Sequence, residues 1–163
     1  MINKKVEKLM NEQIVNEQYS AWLYLSMSAY FSDINLKGIA QWLRAQAKEE
    51  EVHAMKFYDH IIDRCGRVEL GAIKEPPVKW ASPLAAFKAA YEHEVKVTGL
   101  INKIVKVARE EEDYASDSLL QWFTNEQIEE EAQTDEIVRN LELIGHTGAS
   151  LLVLDHHLGK REG

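Results

Sequence analysis

Cysteine, proline and surplus positive charge are what this chain has little of. Its 163 residues include one cysteine, Cys65, which cannot close an internal disulfide. That suits a reducing compartment, and its place just before Gly66 reads as a small residue at a helix end. The three prolines all fall between positions 76 and 83, so long stretches on either side carry no helix breaker. Lys and Arg number 19 against 27 Asp and Glu, giving a net charge of −8. With no Lys/Arg-rich tail, that balance excludes nucleic acid and anionic membrane surfaces as partners and favours cations. The longest uninterrupted aliphatic run is Leu151 to Leu154, far short of the roughly 20 residues of a membrane span. The start Met-Ile-Asn-Lys-Lys leads straight into a helical pattern with no export signal, so a cytoplasmic protein is expected.

What is present is helical. A 45% hydrophobic content in 163 residues is enough for one sizeable core, and the whole of 1–163 reads as a single domain. The first helix is expected from about Lys4 to Asp33. The turn Asp33-Ile34-Asn35 and Gly38 mark the start of a second, which ends near Cys65 with Gly66 as its C-terminal cap. Residues 67–81, with Gly71, Pro76 and Pro77, are too irregular for a helix and form a long crossover. Ser82-Pro83 supplies an N-cap and a first-turn proline for a third helix running to about Glu111. Asp113 caps the fourth, and Gly145 and Gly148 set off a short fifth through about Leu158. The fold class is therefore all-α: an antiparallel four-helix bundle with one long crossover and a short C-terminal helix, the topology of ferritin-like folds.

Each long helix carries an apolar stripe, and each stripe is broken near its middle by a polar side chain able to face a metal. The first reads Met10, Ile14, Glu17, Ala21, Tyr24, Ser28, and the second Ile39, Leu43, Gln46, Glu50, His53, Phe57, Ile61. The third reads Leu84, Phe87, Tyr91, Glu94, Thr98, Ile101, Val105, and the fourth Leu120, Phe123, Gln127, Glu130, Thr134, Ile137, Leu141. Glu17, Glu50, Glu94 and Gln127 all lie roughly 13 residues from their own helix start, at mid-height of a ~42 Å rod. A residue at the middle of a helix stays at that level whichever way the helix points, so these groups share one layer. Removing water from ionised carboxylates costs several kcal/mol each, so cations are expected between them.

The donor set narrows the metal. Glu50-x-x-His53 is the i, i+3 half-motif of di-iron carboxylate bundles, and Glu50 can bridge two ions. Oxygen ligands with one imidazole suit iron or manganese, and zinc less selectively, in contrast to thiolate zinc sites. On the fourth helix the second Glu-x-x-His is replaced by Gln127-Ile128-Glu129-Glu130. The site is thus asymmetric, and its second ion is expected to be held more weakly and to leave after oxidation, as suits a storage route.

The segments Asn-Glu17-Gln-Tyr-Ser-Ala-Trp-Leu-Tyr24-Leu-Ser, Lys-Glu49-Glu50-Glu-Val-His53-Ala-Met, Tyr-Glu-His-Glu94 and Asn-Glu126-Gln127-Ile-Glu129-Glu130-Glu resemble prokaryotic non-haem ferritin, and the likeness covers essentially the whole chain. The resemblance implies Glu17, Glu50 and His53 as ligands of a first iron, and Glu50, Glu94 and Glu130 as ligands of a second, with Gln127 as a partner behind them. It implies Glu49, Glu126 and Glu129 as added ligands of a third, transit iron that shares Glu130. Tyr24 matches the tyrosine that hydrogen-bonds a ligand and is a candidate electron donor. It further implies a ferroxidase that uses dioxygen or hydrogen peroxide, and a hollow cage of 24 subunits storing hydrated ferric oxide.

Rival readings bear on the same residues. Glutamate runs such as Lys48 to Glu51 taken alone are solvated faces, and only their recurrence in four stripes argues for ligands. A haem-containing bacterioferritin would show the second Glu-x-x-His and a haem-ligating Met where Val52 stands, so no haem is expected. A rubrerythrin-like peroxidase would need paired Cys-x-x-Cys motifs, and a DNA-protecting mini-ferritin would lack the long fifth segment. His156 and His157 read equally as channel-lining or surface residues. Trp22, Trp42, Trp80 and Trp122 read as packing or interface residues.

Overall fold

A computed structural model of the chain describes residues 1–145 and 147–161, so positions 146, 162 and 163 of the span read as one domain lie outside the described residues. Among the described residues five helices occur in order: α1 (Lys4–Asp33), α2 (Lys37–Asp63), α3 (Pro83–Glu110), α4 (Tyr114–Ile144) and α5 (Gly148–Leu158). Among the described residues there is no strand, and no helix is long and apolar enough to cross a membrane.

The buried apolar side chains form two clusters, one on each side of a polar layer. One joins Leu23 to Phe31 of α1, Ile39 and Leu43 of α2, Phe87 of α3 and Leu141 of α4. The other joins Val6 to Ile14 of α1, Phe57 and Ile61 of α2, Ile101 of α3 and Leu120 of α4. The first half of α1 therefore lies level with the second halves of α2 and α3 and the first half of α4. Helices α1 and α2 form one antiparallel hairpin and α3 and α4 another, while α2 and α3 run parallel. A parallel pair forces the chain back along the bundle before α3 can start. Residues 64–82, at roughly 3.3 Å each, can span about 60 Å, more than the roughly 42 Å of a 28-residue helix.

Three helices start on a side-chain cap, Ser82 and Asp113 as expected from the sequence and Asn3 in addition. Asn3 Oδ1 accepts Lys5 N at 2.8 Å, Ser82 Oγ accepts Ala85 N at 3.1 Å ahead of Pro83, and Asp113 Oδ1 accepts Ser116 N at 3.3 Å. Leu36 precedes α2 with no side-chain cap; instead Asp155 of α5 accepts the Ile39 N–H at 2.8 Å. Gly38 lies inside that first turn, and a Cβ there would meet Asp155 O at 1.9 Å, so glycine permits the close approach of α5. At the end of α2 the left-handed residue is Cys65 (φ 55°), which corrects the expectation for Gly66. Gly66 N bonds Ile61 O and Cys65 N bonds Ile62 O, a Schellman arrangement in which Gly66 comes after the left-handed position. A Cβ on Gly66 would lie 2.7 Å from Ile2 Cγ2, so its role is contact with the N-terminal segment.

Candidate metal centre

Glu17, Glu50, His53, Glu94, Gln127 and Glu130 are all buried at mid-height, between the two apolar clusters. Each long helix contributes. Among the described residues three groups present donor atoms within 4.8 Å of one another: Glu17, Glu50 and His53; Glu50, Glu94 and Glu130; and His53, Glu126 and Glu130. Glu50 belongs to the first two, which makes it the carboxylate placed to bridge two ions.

Hydrogen bonds orient these groups. Gln13 Nε2 donates to Glu17 Oε1 at 2.7 Å, and Gln46 Nε2 donates to Glu50 Oε1 at 3.4 Å and to Glu130 Oε2. Tyr24 donates its hydroxyl to Glu94 Oε1, while Gln127 Nε2 donates to Glu94 Oε2 at 3.2 Å. Gln127 also reaches Thr98 Oγ1 at 3.3 Å, so its amide is held between Glu94 and Thr98. His53 lies with Nδ1 at 3.5 Å from Glu50 Oε2 and Nε2 at 3.9 Å from Glu126 Oε1, its ring edge-on to Trp122 and Phe123.

Burial raises the carboxyls. Glu17 is pushed well up by loss of water and then by the Glu50 charge; Glu50 by loss of water and then by Glu94 and Glu130. Glu94 moves the same way, mainly by desolvation. Glu130 rises to about 8, again through burial first and the Glu94 charge next. Four buried carboxyls that resist ionisation together form a site able to hold cations, because a cation can replace protons and offset the mutual repulsion.

The remaining residues sit further out. Glu126 is half-buried and joins the third group through His53 and Glu130. Glu129 is exposed and belongs to none of the three groups, and Glu49 is engaged by Arg161, whose Nη2 donates to Glu49 Oε2 at 2.5 Å. Val52, at the position where a haem ligand would stand, is 56% exposed. Three further groups had no role assigned from sequence. Gln13 and Gln46 each precede a cluster glutamate by four residues on the same helix face, a spacing visible in the sequence. His93 is largely buried beside Tyr19 and Tyr24, with Nε2 at 2.7 Å from Ser20 Oγ, and it lies beside the stripe, where periodicity gives no signal.

A buried layer of four carboxylates and one imidazole in a bundle with one long crossover defines the carboxylate-bridged metal bundles of the ferritin-like class. The family model for the ferritin-like domain matches residues 7–144. The bacterial non-heme ferritin of Bacteroides fragilis is 38% identical over 161 residues, 99% of this chain and 100% of that protein. That of Campylobacter jejuni is 40% identical over 158 residues, covering 97% of this chain and 95% of the relative. A crystal structure of an open pore ferritin from the hyperthermophilic archaeon Archaeoglobus fulgidus superposes with a TM-score of 0.98 at 49% identity, covering 99% of this chain and 100% of that one. The chain belongs to the ferritin family.

Proposed function

We propose that this chain is the subunit of an iron-storage ferritin with ferroxidase activity. The observation that carries the reading is the sharing of Glu50 between two buried donor groups, one with Glu17 and His53 and one with Glu94 and Glu130. Two Fe(II) ions enter as substrate, each held by hard oxygen donors and one by the His53 imidazole. Each gives up one electron. Dioxygen takes both electrons and two protons and leaves as hydrogen peroxide, and peroxide is itself an alternative two-electron oxidant. The carboxyl protons displaced on binding are available for that reduction.

Asymmetry between the two groups governs the fate of the oxidised ions. The Glu17–Glu50–His53 group offers an imidazole, whereas the Glu50–Glu94–Glu130 group is all carboxylate and has the amide of Gln127 behind it, so the second ion is the more weakly held. Glu49, Glu126 and Glu129 serve a third, transit iron through which ferric product passes toward a mineral. Tyr24 steadies Glu94 and stands close enough to be an electron donor. The subunits assemble as a cytoplasmic cage of 24 around hydrated ferric oxide, without haem and without nucleic-acid or membrane partners.

Replacing His53 with Ala tests this reading. The initial rate of Fe(II) oxidation in air should fall by at least about 10- to 100-fold, the loss found when only a group behind a metal ligand is removed. Slow mineral growth at high iron loading should survive, because a ferric surface oxidises further iron unaided. An unchanged initial rate in His53→Ala would overturn the paired site.

A further inference from the structure

Arg161 reaches back from beyond α5 into the flank of the bundle, where its side chain is only 18% exposed. Its guanidinium lies 4.6 Å above the Trp42 ring. Nη1 donates to Gln46 Oε1 at 2.8 Å and Nη2 to Glu49 Oε2 at 2.5 Å. Helix α5 delivers it there: Asp155 caps α2 at Ile39, and a Cβ on Gly159 would lie 2.8 Å from Gly38 Cα, so the two backbones are in contact.

An exposed ion pair contributes little by itself. Here the cation is largely desolvated, stacked on an aromatic face and used at both terminal nitrogens, the arrangement in which an arginine is most strongly fixed. Two effects meet at the metal layer. The Gln46 amide could turn either way, but with its oxygen held by Arg161 its NH2 must face the cluster, where it donates to Glu50 and Glu130. Glu49, the neighbour of Glu50 in sequence, has a carboxylate oxygen already occupied by a positive group.

We propose that Arg161 is a built-in counter-cation for Glu49, so that a third metal ion taking Glu49 competes with the guanidinium for its carboxylate, and that the same guanidinium positions Gln46 as a donor to Glu50 and Glu130. The inference rests on the paired-iron reading above. Arg161 is a positioning residue that touches no reacting atom, and it makes the C-terminal segment a charge gate between the ion pair and the third site. When no third ion is present, Glu49 is paired with the guanidinium, which offsets part of the charge that Glu49 would otherwise bring to bear on Glu130. When one arrives, the cost of releasing Arg161 weakens its binding and favours its departure.

Calorimetric titration of the metal-stripped, assembled protein with Zn(II), which undergoes no redox change, tests this. The parent should bind two ions tightly and a third weakly. In Arg161→Gln the third ion should bind roughly tenfold more tightly, the scale of one charged hydrogen bond. Arg161→Lys, which keeps the charge but not the two-pronged geometry, should fall between them and gives the same reading if Arg161→Gln fails to assemble. In a Glu49→Gln background Arg161→Gln should bring no gain. A third-ion affinity that ignores Arg161, or a gain that persists without Glu49, overturns the gate. If the parent binds no ion pair that His53→Ala weakens, the paired site itself fails, and the gate with it.

Discussion

Glu130 is 2% exposed, and its carboxyl is raised from 4.5 to about 8 by burial and by the Glu94 charge. The metal-free protein therefore prefers it protonated. A carboxyl whose folded value lies above its unfolded value contributes stability that is complete below the unfolded value and is lost as pH rises through the folded one. For Glu130 that window runs from 4.5 to about 8. Across it the metal-free protein should lose roughly 4–5 kcal/mol through this group, at about 1.4 kcal/mol per pH unit. His93 works in the opposite direction: burial and then Lys96 lower it from 6.5 to about 4, so its contribution is present above 6.5 and lost on acidification. The difference between the parent and Glu130→Gln cancels the histidine. Urea unfolding in chelator at about pH 5 and pH 8 should show Glu130→Gln gaining on the parent at the higher pH. An equal slope in both proteins would mean that Glu130 is ionised in the layer without a cation.

At the level of helices, three chain reversals are closed by Schellman arrangements, and in each the left-handed position is occupied by a residue other than glycine: Asn35 (φ 64°), Cys65 (φ 55°) and Glu112 (φ 54°). Asparagine tolerates that region, whereas an ordinary side chain is strained there by about 1 kcal/mol or more. Cys65→Gly and Glu112→Gly should each raise unfolding stability by about 0.5–1 kcal/mol after the added freedom of the unfolded chain is subtracted. Chemical denaturation measures this directly, and a loss of stability in both variants would place the favourable contacts in the replaced side chains. The same ends show what can be read from sequence. The stripes through Glu17, Glu50, Glu94 and Glu130 were legible because helical periodicity is local, and the crossover because proline and glycine are. The cap on α2 was not, since its donor and acceptor, Ile39 and Asp155, lie 116 positions apart. Gln46 stood visibly in its stripe, but the group that orients it, Arg161, lies 115 positions away. Cys65 took the left-handed site next to a glycine because Gly66 was needed against Ile2, a tertiary demand with no trace in the local pattern.

On the scale of the whole molecule, α5 divides its apolar residues between two directions. Leu154 is buried and Leu151 and Leu158 pack partly against the bundle, while Leu152 is 59% exposed and Val153, 71% exposed, lines a surface hollow with Leu143, 86% exposed. Trp22, Leu25, Ile73 and Val78 form a second set of exposed apolar side chains on α1 and the crossover. A lone bundle has no use for such surfaces, and a cage of many copies does. Deleting everything after Gly148 would alter assembly but would also strip Leu154 from the core and Asp155 from the end of α2, so it would confound association with folding. Leu152→Asp combined with Val153→Asp removes only the outward face. The double variant should keep its helical content and the thermal unfolding of its bundle, yet lose most of the large assembly in native mass measurements, since an unpaired charge buried at an interface costs several kcal/mol per contact. An assembly of parent mass and parent stability would mean that the outward face of α5 meets no neighbour and that subunits associate through the Trp22 surface and others alone.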